Sequence, residues 1–300
     1  MAPIRYGAVA GLTLRAGDYE TTFRPDLAML CTSLKFSGDQ YAALPRTLAQ
    51  FKAGAATGIP LVHPWLNRLG RWGYEVADRQ VSCSGIALPV DDNGLPIHGN
   101  LFAVPFDVER ADDTSVLARL DYGAHAEKLR AFPFPHVVTI DVLLDAERGL
   151  TIVTDIRATS DTPVPISFGW HPYLRLPRGG RNTWELRWPA CEHVECDDHT
   201  IPTGARKAQP AEFAPIGSRT FDDHYALGDD RTFTVSAADR TLTLRFDDAY
   251  PFAQLFVPPR RRLVAIEPMT AEIDALGRGT APLCQPGERF RAEFTITVTR

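Results

Sequence analysis

With 300 residues, 44% of them hydrophobic and 23% charged, the chain has the composition of a protein with a large packed core. Its formal net charge of -5 excludes the basic excess that nucleic acids and anionic membrane surfaces require. No stretch nears the roughly 18 apolar residues of a membrane span, and the apolar run at residues 8–12 is too short for a secretory leader. Five scattered cysteines suit reduced thiols rather than a disulfide framework. A cytoplasmic protein is expected, with no nucleic-acid or membrane partner.

In chain order, a short helical pattern at 46–53 precedes a strand at 116–120. Alternating runs at 136–144 and 150–156 flank a glycine-containing turn, which reads as a hairpin. A second hairpin is expected from 232–236 and 241–246, followed by strands at 252–257 and 263–267. A helical segment is read at 271–276, and a last alternating strand at 290–298 follows the turn at 285–288. The 24 prolines and 22 glycines are spread evenly, so no linker stands out. Many short strands with regular turns predict an all-β protein, one large antiparallel β-sandwich over 1–300 as a single domain.

Three segments carry polar or aromatic residues where core aliphatics would be expected. In the first, Gly169, Trp170, His171, Pro172 and Tyr173 crowd one histidine among rings. The second holds Ile97, His98 and Gly99. In the third, Glu267 ends the apolar run Val264, Ala265, Ile266 and is followed by Pro268. Each has a structural alternative: a satisfied core histidine, a turn histidine, or an acid capping the next turn. What unites them is chemistry. Interconverting the anomers of a sugar needs an acid at the ring oxygen and a base at the anomeric hydroxyl, and histidine and glutamate are suited to those two tasks.

The run Gly169-Trp170-His171-Pro172-Tyr173 resembles the Gly-x-His-Pro-Tyr/Trp motif of the aldose 1-epimerase (galactose mutarotase-like) family. Ile97-His98-Gly99 is similar to that family's His-Gly motif, and Asn67-Arg68-Leu69 to its Asn-Arg motif. Phe221-Asp222-Asp223-His224-Tyr225 resembles the segment with a sugar-binding Asp, and Ile266-Glu267-Pro268-Met269-Thr270 the segment with the catalytic Glu. The Pro64-Trp65-Leu66-Asn67-Arg68 form is similar to the bacterial YihR-like branch.

The resemblance implies a sandwich with its site on a concave sheet, His171 as acid and Glu267 as base. Arg68, His98 and Asp223 would bind sugar hydroxyls, Asp222 being the alternative to Asp223. Trp170 or Tyr173 would offer a ring face to the sugar, with packing as the alternative role for at least one of them. The implied partner is a free monosaccharide, with no cofactor and no metal, in a monomer or homodimer. Three other readings remain. One is a non-catalytic sugar-binding protein of the same fold. Another is a hexose-6-phosphate 1-epimerase using Arg175, Arg178 and Arg181. The third is a glycosidase, which would use two carboxylates rather than His and Glu. The segment from Cys191 to His199 is dense in ligand-type residues but lacks the Cys-x₂-Cys spacing of structural zinc.

Overall fold

Alternating side chains send one face of a strand to the core and the other outward, so the runs above require sheets that stack face to face. In the computed structural model, which describes residues 4–6, 9–43 and 57–300, about 52% of the chain is strand and 5% helix. Among the described residues, two large antiparallel sheets dominate. The nine-stranded sheet runs Glu212–Pro215, Glu185–Trp188, Thr232–Ala237, Arg240–Phe246, Phe290–Thr299, Gly149–Ala158, His136–Asp145, Ser115–Asp121 and Asp107–Ala111. The eight-stranded sheet runs Pro202–Gln209, Cys191–Cys196, Phe221–Leu227, Phe252–Val257, Val264–Met269, Gly169–Trp170 and Leu61–Val62, with Tyr173–Leu174 also paired to Val264–Met269. A five-stranded sheet from Ile4–Tyr6 to Asp39–Gln40 is tied to the last strand where the Tyr19 hydroxyl bonds the Val298 backbone.

The predicted hairpin at 136–156 forms with unbroken register from His136 opposite Ala158 to Asp145 opposite Gly149. Its turn closes because the Asp145 carboxylate accepts the N–H groups of Glu147 and Arg148. Gly149, with φ of 78°, takes a left-handed conformation where a Cβ would strike the Ile296 carbonyl.

Between the sheets, Val138, Ile140, Ile152, Ile156, Leu244, Phe294 and Ile296 meet Phe168, Trp170, Leu255, Val264 and Ile266. All are buried in one continuous cluster. Trp170 bridges the layers. Its ring centroid lies 5.8 Å from that of Phe294, and its indole N–H donates to Thr154 Oγ1 at 2.9 Å, so the one polar atom of a buried indole is satisfied.

Two helical expectations fare differently. Residues 46–53 lie outside the described residues. Residues 271–276 form no helix, and consecutive turns run over 273–279. Asp274 sits at φ of 60°, which breaks a right-handed helix, and its carboxylate is spent on the Gly70 N–H at 2.8 Å. No helix among the described residues is long and apolar enough to cross a membrane.

Candidate active site

Residues directly opposite one another in adjacent strands share a face. The register sets His224, Gln254 and Glu267 in one row, and Asp222, Phe256, Ala265 and Tyr173 in another two residues along. These rows therefore lie on one face of the eight-stranded sheet. The intervening row of Asp223, Leu255 and Ile266 lies on the other. Trp170 points inward and the next residue, His171, points outward to the first face.

That step from Trp170 to His171 depends on Gly169. A Cβ there would collide with the Pro268 carbonyl and with Leu66, so only glycine lets this short strand lie against Val264–Met269. The approach delivers His171 to Glu267. His171 Nε2 is 3.0 Å from Glu267 Oε1 and 2.9 Å from the Tyr173 hydroxyl. The Tyr173 ring stacks on the imidazole with centroids 3.9 Å apart. His171 and Glu267 are 5% and 1% exposed, which sets their protonation. Burial, opposed by its own backbone and by the Asp222 charge, pulls His171 down to about 3. Burial, assisted by Asp222 and opposed by Arg68, pushes Glu267 well above the carboxylate range. In the free protein these shifts favour a neutral pair, with the Glu267 acid donating to an unprotonated His171. Among the described residues, His171 Nδ1, Glu267 Oε2 and Gln254 Oε1 are buried without hydrogen-bond partners.

A clasp between two loops brings in the remaining residues. The His98 N–H donates to the Asn67 carbonyl at 3.0 Å, and the Asn67 N–H donates to His98 Nδ1 at 3.3 Å. Both residues are left-handed, at φ of 62° for Asn67 and 59° for His98, strain of a kind that collects at functional sites. Gly99 follows because a Cβ there would run into the His63 carbonyl. Burial, with the nearby His171 and Arg68, keeps His98 well below its ordinary range and so neutral. With Nδ1 accepting, its proton resides on Nε2, and His98 is a fixed donor. Its ring is 5.3 Å from that of His171, edge to face. Arg68 is held by Asp91 Oδ2 at 2.7 Å through Nε and by Asn67 Oδ1 at 2.8 Å through Nη1.

Two sequence expectations are corrected. Asp223 lies on the face opposite Glu267, where it accepts from His193 Nε2 at 3.2 Å. The acid that shares Glu267's face is Asp222, whose Oδ1 accepts from Gln254 Nε2 at 2.7 Å. Trp170, 0% exposed, is an inter-sheet core residue and offers no ring to the cleft. The rings that do flank His171 are Tyr173 and the half-buried Phe256, 6.4 Å away. Gln254 and Phe256 were missed. The signal was present, since Gln254 interrupts an apolar strand as Glu267 does.

Arg175, Arg178 and Arg181 do not form one cluster. Arg178 is exposed, and Arg181 donates to the Arg219 carbonyl in a distant loop. In the 191–199 segment, strand alternation sends Cys191 and His193 to one face and Glu192 and Val194 to the other, and the register shifts between Val194 and Cys196. The described residues hold no group of ligands able to share a metal. Grooves of about 420 and 570 Å³ open on the outer face of the nine-stranded sheet, away from the pair.

The architecture is that of galactose mutarotase-like sandwiches. A galactose mutarotase-like protein from Clostridium acetobutylicum superposes with a TM-score of 0.87 at 18% identity, over 99% of this chain and 97% of that one. A galactose mutarotase related enzyme from Lactobacillus acidophilus gives 0.80 at 17%, over 97% of each chain. Galactose 1-epimerase from Lactobacillus acidophilus NCFM gives 0.77 at 11%, over 99% and 97%. Among curated proteins, none matches the chain by sequence. The aldose 1-epimerase family model matches residues 32–297, and the chain belongs to that family.

Proposed function

We propose that the protein is an aldose 1-epimerase acting on a free aldose, with His171 as acid and Glu267 as base. The observation that carries this is the direct 3.0 Å contact between the two groups, buried on the face that also bears Asp222, Gln254 and Phe256. A protein that only bound sugar would have no need of an acid and a base in contact.

The pair holds one proton, and its two states differ only in which atom carries it. An entering aldose separates the groups and restores, through its hydroxyls, the solvation that burial removed. The charged state, with Glu267 a carboxylate and His171 an imidazolium, is then the reactive one, and the Arg68 charge favours the carboxylate. Glu267 takes the O1 proton as the C1–O5 bond breaks. The bonding electrons go to O5, which takes the His171 Nε2 proton, leaving an open-chain aldehyde. The pair is now neutral, the state that burial favours. Rotation about C1–C2 and reversal of both transfers close the other anomer. Asp222, Arg68 and the Nε2–H of His98 hold hydroxyls, and Tyr173 and Phe256 pack against the ring.

Magnetisation-exchange NMR on a panel of free aldoses and their 6-phosphates tests the reading. Saturable acceleration of anomer exchange for a free aldose is expected. No acceleration for any member would sink it, and a preference for phosphorylated sugars would replace the substrate.

A further inference from the structure

Arg68 and His98 approach the catalytic pair from two separate loops, and one carboxylate organises both. Asp91 opens the turn at 91–95. Its Oδ1 accepts the N–H groups of Asn93 and Leu95, each at 2.9 Å, and its own N–H donates to the Leu95 carbonyl at 3.0 Å. The returning arm of that turn carries Ile97, paired with Arg68 across a bridge, and then His98. The second oxygen, Oδ2, holds Arg68 Nε at 2.7 Å, with the two side chains only 5% and 14% exposed. Asn67 takes Nη1, so Nη2 is the edge of the guanidinium with no hydrogen bond among the described residues.

We infer that Asp91 is a positioning residue for this reaction, fixing the Arg68 fork by its Nε edge and screening the charge that Arg68 brings to Glu267. The inference rests on the proposed mutarotase reading. A charge-assisted bond at this distance is strong and directional, and a guanidinium gripped on two edges has little freedom in how it presents the third. The field follows the same route. Burial works upward on Asp91, but Arg68 and the two turn N–H groups outweigh it, so the carboxylate stays charged. Glu267 is surrounded by Asp222 from the Phe221–Leu227 strand, by His171 and Tyr173, and by Arg68 from the loop. Of these, Asp222 raises it and Arg68 lowers it. Removing the charge of Asp91 leaves Arg68 unscreened, which stabilises the Glu267 carboxylate and lowers its titration.

The test is Asp91→Asn in the full chain, with glucose anomer exchange followed by NMR across pH. The expected result is a KM raised about tenfold with kcat changed less than about threefold, and a basic limb, where the pair loses its one proton, moved to lower pH. A role confined to folding would leave that limb in place. Arg68→Gln and the double variant complete a cycle. If Asp91 acts through Arg68, adding Asp91→Asn to Arg68→Gln changes neither KM nor the limb. An unmoved limb, or an Asp91 effect undiminished in the Arg68→Gln background, overturns the inference. Binding of 1,5-anhydroglucitol, which has no anomeric hydroxyl, reads the same clamp without turnover. If the wild-type protein binds it but does not accelerate exchange, the mutarotase reading fails alone. If Asp91→Asn binds it as tightly as wild type does, the clamp fails alone.

Discussion

The two faces of the eight-stranded sheet are built from the same strands and do opposite things. On the inner face, Leu255, Ile266 and Trp170 close against the nine-stranded sheet, and the indole N–H of Trp170 is bonded to Thr154. On the outer face, one residue along, Gln254, Glu267 and His171 are also buried, yet each leaves a polar atom without a partner among the described residues. An unsatisfied buried group costs about 1–3 kcal/mol, so this face spends stability where the inner face gains it. Polar groups held dry and unsatisfied are what a polyhydroxylated ligand can satisfy. Asp222 and Asp223 are the sharpest case, since adjacent acids on one strand are separated by the sheet itself.

Substitutions on the two faces should therefore fail differently. Glu267→Gln and His171→Asn are each expected to slow anomer exchange by about 10²–10⁴-fold while keeping the wild-type circular dichroism spectrum. Near-wild-type rates in either would break the assignment. Trp170→Ala should do the reverse, lowering unfolding free energy in urea by about 3–5 kcal/mol, with KM little changed in the fraction that folds. The neighbouring acids sharpen the contrast. Asp222→Asn should cut kcat/KM about tenfold or more, and Asp223→Asn by less than about twofold; equal effects would mean that the register does not decide which acid meets the sugar.

The smallest effect is one of pH on stability. Glu267 is raised on folding, so its contribution is fully present below the unfolded carboxylate value and is lost as pH rises toward its folded value. His171 is lowered to about 3, so its contribution is present above about 6.5 and is lost as pH falls. Glu267→Gln removes only the first. The unfolding free energy of wild type minus that of Glu267→Gln should fall as pH rises above about 4.5, by at most about 1.4 kcal/mol per pH unit. A difference that is flat or rises with pH would show that Glu267 is ionised in the free protein.

Most strands were legible because period-two alternation is local. The 136–156 and 232–246 hairpins appear where the pattern and turn residues put them. The 271–276 segment was not, because its apolar spacing fits a helix while Asp274 is held left-handed and bonded to Gly70, 204 residues away in sequence. At the site, His171, Glu267, His98 and Arg68 were named from motifs, and the structure brings them together. Asp223 and Trp170 were misplaced for one reason: a motif names neighbours in sequence, and alternation puts neighbours on opposite faces.

By itself, then, the sequence determined the all-β class, most of the strand positions, the family motifs and the acid-base types. These are carried by side-chain period, turn chemistry and residue identity, which are local properties. Only the tertiary structure decided which of two adjacent acids faces Glu267, that Trp170 belongs to the core, and that burial favours a neutral His171–Glu267 pair. Each of those depends on strand register or on burial, and both are set by residues far apart in the chain.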